Sequence, residues 1–267
     1  MRLAIFAVLA ACGSGGHVDT VVPDAPPEVE ADASVSSPVD DDGDGLADDL
    51  EDALARDYLP HVSLDPGDGC ALSGFVARVR KHPADPTKVL IVYSHLFQRD
   101  CGLAGHVGDN EAFGIAIDPA VPAPAGILAM RSASHQNTPC QRTTECTTCS
   151  NDARPKCDLQ DGWPVLYASK DKHGQYATKS SCSLIGTCFD QCSLNPLRTS
   201  APVINVGEPG HPRVTDLTAQ GFITPANGWT EDALMHVDPW DAMHDFGGAG
   251  NVARDLQDAT FEPAVCH

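Results

Sequence analysis

The chain has 267 residues, of which 37 are acidic and 17 basic, for a formal net charge of −20 and a pI near 4.6. Such a surface repels nucleic acid, which is excluded as a partner, and it suits hard cations that take oxygen ligands. The length fits one main domain once the polar N-terminal stretch is set aside.

In chain order, Arg2 precedes nine apolar or small residues, Leu3 to Ala11, and then comes Cys12 followed by Gly13-Ser14-Gly15-Gly16. A charged start, a short apolar core and small residues at the cut describe a secretory signal, and the core is too short to span a bilayer, which needs about 20 residues. Leu9-Ala10-Ala11-Cys12 resembles the lipobox of bacterial lipoproteins. That resemblance implies a signal peptide over 1–12 and an exported chain. It implies a lipid on Cys12 that anchors the chain in the membrane of the cell envelope, at the outer membrane or cell surface. An ordinary signal peptide with an incidental cysteine is the alternative. Residues 13–39 are rich in Pro, Asp, Ser, Val and Gly, without periodicity or aromatic residues, and read as a disordered tether.

Residues 40–58 read as a calcium loop followed by a helix. Asp40, Asp42 and Asp44 stand at positions 1, 3 and 5 of a twelve-residue loop, Gly45 at 6, Leu46 at 7, Asp48 at 9 and Glu51 at 12. Carboxylates at alternate positions, a glycine for the sharp turn, a backbone carbonyl and a closing bidentate Glu make an oxygen cage for Ca²⁺. No helix precedes the loop, so it resembles the repeats of thrombospondin type 3 and dockerin modules more than a complete EF-hand. The alternative is an acidic helix start favoured by the helix dipole. Leu46, Leu50, Ala53 and Leu54 recur at helical spacing up to Tyr58, and Pro60 ends the run. A second short helix is expected over Thr230 to Met235.

Over 59–267 the signals are strand-like: Leu72 to Val79, Val89 to Ser94, Ala112 to Ile117, Ile127 to Ser132, Val165 to Ser169 and Val203 to Val206, each bounded by turn residues. They predict a mainly β domain, an antiparallel β-sandwich with long loops and one or two short helices. Setting Cys12 aside from the eleven cysteines leaves Cys70, Cys101, Cys140, Cys146, Cys149, Cys157, Cys182, Cys188, Cys192 and Cys266. An even number in an exported chain reads as disulfides pinning the loops, with connectivity open; a zinc site at Cys140, Cys146, Cys149 and Cys157 is the alternative.

The run most suggestive of chemistry is Tyr93-Ser94-His95-Leu96-Phe97-Gln98-Arg99-Asp100, then Gly105-His106-Val107-Gly108-Asp109-Asn110-Glu111. Asp109 and Glu111 alternate by two and share one strand face, His106 lies in a turn just before, and Asp100 can fold back to them. One imidazole and three carboxylates suit Ca²⁺ or Mg²⁺; a solvated polar loop is the alternative. Gly105, His106, Asp109 and Glu111, with Tyr93, Phe97 and Asp100 upstream, resemble the heptapeptide region of the necrosis- and ethylene-inducing peptide-like proteins. Tyr167 to Tyr176 resembles a second element of the broader vacuolar-sorting-associated-like bacterial set. The resemblance covers about residues 88–178. It implies a β-sandwich with a divalent ion at Asp100, His106, Asp109 and Glu111. Gly108 and Asn110 replace a His and a Trp of the heptapeptide, which puts cytolysis in doubt. His135 and His173 each follow a strand and are candidate bases. In the stretch Asp238 to Asn251, Trp240 and Phe246 are expected to pack on the core while the glycines turn.

These readings converge on a lipid-anchored, metal-binding β-sandwich protein whose partner is a glycan or lipid headgroup, cytolysin-like in kind. A metal-assisted hydrolase and a structural envelope lipoprotein are the alternatives. If Cys12 carries the anchor, Cys12→Ser moves the protein from the membrane pellet to the soluble fraction on fractionation.

Overall fold

The computed structural model describes residues 38–70, 72–102, 105–182, 188–197, 201–213 and 249–263. The expectations for 1–37, for Thr230 to Met235, for Asp238 to Gly248 and for Cys266 lie outside the described residues.

Helix α1 spans Asp48–Asp57, two residues inside the expected start and one inside the expected end, with Asp48, Asp49 and Glu51 in its first turn, where the helix dipole favours them. The strands follow as β1 His61–Ser63, β2 Leu72–Lys81, β3 Val89–Arg99, β4 Val107–Ile117, β5 Ile127–Ser134, β6 Arg142–Thr147, β7 Leu159–Gln160, β8 Trp163–Ala168 and β9 Gln175–Tyr176. A one-turn helix α2 (Lys179–Cys182) leads to β10 Pro196–Leu197, β11 Val203–Asn205, β12 Gly207–Glu208 and β13 His211–Pro212. The described chain closes with α3, Ala249–Gln257, and a 3₁₀ turn at Ala259–Phe261.

Two sheets form the body. One has six strands in the order β11-β2-β3-β4-β5-β6; the other has the order β10-β1-β8-β7, with β9 also on β8. The β-rich class with disulfide-pinned loops is as expected. The arrangement is not wholly antiparallel, because β1 runs parallel to β8 and β11 parallel to β2. Both parallel pairings join strands far apart in the chain, where no short hairpin sets the direction.

Strand alternation explains the layers. On β3 and β4, Val89, Ile91, Tyr93, Phe113, Ile115 and Ile117 share a core with Val62 of β1, Leu166 of β8, Leu54 and Ala55 of α1, and Tyr58 just after it. The intervening Leu90, Val92, Ala112 and Ala116 point the other way and pack on Val252, Ala253 and Leu256 of α3. The six-stranded sheet is therefore covered on both faces, and that accounts for strands that read as near-continuous apolar runs. A Cβ on Gly114 would collide with Leu256 and Val252, so glycine at this point lets α3 sit against β4. The tyrosine hydroxyl of Tyr93 donates to the Ala55 carbonyl at 2.9 Å, tying α1 to the sheet. The loop and helix over 40–58 are thus part of the same core as the strands.

Four disulfides join described cysteines: Cys70–Cys101, Cys140–Cys188, Cys146–Cys157 and Cys182–Cys192; Cys149 is disulfide-bonded as well. All four residues of the alternative zinc set are therefore oxidised, and Cys140 is bonded away from the other three. A disulfide sulfur does not replace the thiolate that zinc requires.

Candidate functional site

The inward face of β3 and β4 does not stop at the apolar core. Continuing the alternation past Phe113 places Glu111 and Asp109 on that same face, opposite His95 and Phe97 of β3. Both acids are consequently buried, at 9% and 7% exposure. Rings line the approach. Phe75 stacks on His95 with centroids 4.5 Å apart, and Phe97 stacks on His173 at 3.7 Å and 7°.

The loop before β4 closes as the sequence suggested. The Asp100 amide donates to the His106 carbonyl at 3.0 Å. Gly105 is required there, because a side chain would overlap the Asp100 carbonyl. Asp100, His106, Asp109, Asn110, Glu111 and His135 line one cavity of about 450 Å³, with Lys172 and Cys188 on its wall. The four residues expected to share a site therefore share a cavity. Their ligand atoms do not close into a shell: no three of them lie within 4.8 Å of one another, and His106 Nδ1 is 2.7 Å from the Gly108 carbonyl.

His173, expected as a possible base, has another role. It is fully buried, with Nδ1 2.7 Å from Asp109 and Nε2 3.1 Å from Asp68. Burial alone would lower its pKa. The hydrogen bonds and charges of Asp109 and Asp68 prevail and push it up to about 9, so it stands as an imidazolium between two carboxylates. With Nδ1 hydrogen-bonded to Asp109 and Nε2 ion-paired with Asp68, it is a structural bridge. Asp68 was not singled out in the sequence; nothing in its local pattern connects it to a residue 105 positions away. Among the described residues Glu111 has no such cation. Burial, then the charges of Asp109, Asp190 and Asp100, raise its pKa well above the carboxylate norm.

His135 lines the cavity, with Nε2 2.7 Å from Asp190 Oδ2, and the Tyr176 hydroxyl donates to the same oxygen at 2.7 Å. His135, Asn137, Asp171, His173, Cys188 and Phe189 all have positive φ, between 51° and 66°. That backbone is costly for residues other than glycine, and its concentration around one cavity is typical of functional sites.

The acidic loop forms a second cluster. Carboxylate oxygens of Asp40, Asp42 and Asp48 come within 4.8 Å of one another, as do those of Asp42, Asp44 and Glu51. Asp40 accepts from the amides of Gly43 and Gly45 at 2.8 and 3.1 Å, and Asp44 from Leu46 at 2.7 Å, so the loop is wrapped around its own carboxylates. Glu51 is fully buried, and neither carboxylate oxygen has a hydrogen bond among the described residues. Burial, with Asp42 and Asp44 beside it, pushes its pKa to about 9; Arg213, 3.6 Å away, opposes this only partly. A closing glutamate with two unsatisfied buried oxygens among three aspartates fits a cation.

No family model and no curated relative matches the chain. Among solved structures, the chain is similar to one described as "Toxin fold for microbial attack and plant defense". The identity is 15%, the TM-score 0.36, and the match covers 72% of this chain and 86% of that one. It is also similar to "NLPPya in complex with glucosamine", at 17% identity and TM-score 0.34 over 67% of this chain and 77% of that one. The fold and site define a two-sheet, disulfide-braced β protein with an acid-lined cavity and an acidic loop able to hold a metal ion.

Two tests follow from this geometry. Calorimetric titration of calcium into the protein is expected to give a dissociation constant of about 10⁻⁴–10⁻³ M, as in extracellular modules. Glu51→Gln should weaken binding by about tenfold or more, roughly 1.4 kcal/mol. The second test is pH. Burial, with the His173 charge as a smaller cause, lowers the pKa of His95 to about 3. The unfolded chain takes up this proton near pH 6.5. Between those values the unfolded state holds the extra proton, so stability falls on acidification. Denaturation should show a slope of about 1.4 kcal/mol per pH unit from this group below pH 6, flattened in His95→Gln.

Proposed function

We propose that the chain is an exported, lipid-anchored protein of the cell envelope that binds the polar headgroup of a glycan or lipid in the cavity at the end of β3 and β4, with divalent metal. The observation that carries this reading is the convergence of Asp100, Asp109, Asn110 and Glu111 on one cavity of about 450 Å³, in which burial and then the charges of Asp109, Asp190 and Asp100 raise the Glu111 pKa. Carboxylates and a carboxamide are the groups that hydrogen-bond sugar hydroxyls, and the cavity volume falls in the range of small-ligand sites. Asn110 supports the reading further, since among the described residues neither its amide nitrogen nor its oxygen has a hydrogen-bond partner.

Calcium is assigned to the loop Asp40 to Glu51, which would hold it through Asp40, Asp42, Asp44, Asp48 and Glu51 with the Leu46 carbonyl. Its chemistry there is cohesion. Asp42 also accepts from the Glu208 amide at 3.0 Å, so an ion in the loop would steady the β12–β13 hairpin. In the central cavity Asp100, Asp109 and Glu111 supply charge for Ca²⁺ or Mg²⁺, with His106 beside them. Their spacing suits a loosely held ion whose remaining positions water or ligand oxygens fill.

A glycan and lipid-headgroup array, probed with and without chelator, tests the proposal. Binding to a neutral sugar headgroup is expected, with a loss of about tenfold or more in Glu111→Gln and in chelator. A protein that binds nothing on the array, or binds equally after Glu111→Gln, removes the cavity as the binding site.

A further inference from the structure

The cavity contains more than a binding site needs. His135 follows directly on β5, and its Nε2 is 2.7 Å from Asp190 Oδ2. Asp190 is buried and is fixed in turn by the Tyr176 hydroxyl at 2.7 Å. In the neutral tautomer that fits this contact, Nε2–H donates to the Asp190 carboxylate. Nδ1 is left with the lone pair.

Three further features hold this arrangement. A side chain on Gly174 would lie 3.1 Å from Asp190 Oδ2 and 3.0 Å from the Ser134 Cβ, so glycine leaves room for the pair to meet. His135 is held at φ 54°, out of the region its side chain prefers. The disulfide Cys140–Cys188 joins the loop that follows His135 to the loop that carries Asp190. On the cavity wall, Asn110 and Gln136 each have an amide nitrogen without a hydrogen-bond partner among the described residues.

We propose that His135, oriented by Asp190 and Tyr176, is a general base that activates water in this cavity to hydrolyse a neutral acyl ester, such as an O-acyl group on a sugar. The substrate class rests on the headgroup-binding reading; the base itself does not. In the cavity without a cation, Asp100 and Asp109 repel phosphate esters and carboxylates, which leaves uncharged substrates. An imidazole base beside amide donors is the equipment of acyl transfer to water.

The step balances as follows. His135 Nδ1 takes a proton from water as the water oxygen bonds to the ester carbonyl carbon. The resulting oxyanion accepts a hydrogen bond from the amide N–H of Asn110. The carbon–alkoxide bond then breaks, and the alkoxide takes the proton back from the imidazolium. One ester and one water become one acid and one alcohol. Asp190 and Tyr176 are positioning residues here, since they act only through His135.

The test uses the full mature chain and two substrates, 4-nitrophenyl acetate and an O-acetylated methyl glucoside, with acetate release as the readout. His135→Gly suits the positive φ and opens a gap the size of the ring. It should lower kcat by about 10²–10⁴-fold with an unchanged melting temperature, and added imidazole should restore part of the rate. Asp190→Asn should lower kcat by a similar factor with little change in KM. Calorimetry with unacetylated methyl glucoside measures binding separately. If the sugar binds but no acetate is released, the base is overturned and the binding reading stands. If ester is cleaved in a His135-dependent, imidazole-rescued way with no sugar bound, the base stands and the headgroup reading falls. Hydrolysis that His135→Gly leaves unchanged overturns the inference.

Discussion

Asp109 lies at an inward position of β4, two residues beyond the last acid and four beyond the last aromatic ring of the core face, and a carboxylate so placed requires a counter-charge. His173 supplies it. The imidazole lies flat against Phe97 and reaches Asp109 with one nitrogen and Asp68 with the other. Burial disfavours the charge on His173, two carboxylates restore it, and the pKa near 9 records which wins. This bridge joins β4, the turn before β9 and the segment before Cys70, and so sets one wall of the cavity. Glu111, one step nearer the core, has no comparable cation among the described residues, and its raised pKa follows.

The remaining wall depends on covalent bracing. The segments that carry His135, Lys172 and Asp190 have little regular structure, and several of their residues adopt left-handed backbone. Conformations of that kind cost of order 1–2 kcal/mol each and persist only where the surroundings impose them. Cys140–Cys188 and Cys182–Cys192 impose them, while Cys70–Cys101 holds the loop behind Asp100. The disulfides therefore act at the site as well as on the stability of the fold. On the far face of the sheet, Phe261 lies beneath the guanidinium groups of Arg131 and Arg154, at 4.4 and 4.3 Å, fastening the segment after α3.

Some elements were legible but read differently. Ala249, Val252, Ala253 and Leu256 recur at helical spacing and form α3, whereas the run of glycines before them suggested only turns. Gly250 sits inside the first turn of that helix, where packing on β4 outweighs its poor propensity. β6, Arg142–Thr147, is not among the strands the sequence signals; its paired partner β5 supplies the order that its own polar sequence does not signal.

The sequence by itself determined what depends on near neighbours in the chain. Alternation located the main strands, the twelve-residue spacing located the acidic loop, and the two-residue step from Asp109 to Glu111 placed both on one face. The tertiary structure alone decided what depends on pairing across the chain: Asp68 with His173, His135 with Asp190, Tyr176 with Asp190, and which cysteine meets which. Those contacts span 105, 55 and 14 residues for the three polar pairs and 10 to 48 for the disulfides. No local periodicity encodes them, because each arises only when two sheets pack and bring the ends of β4, β5 and β9 to one place.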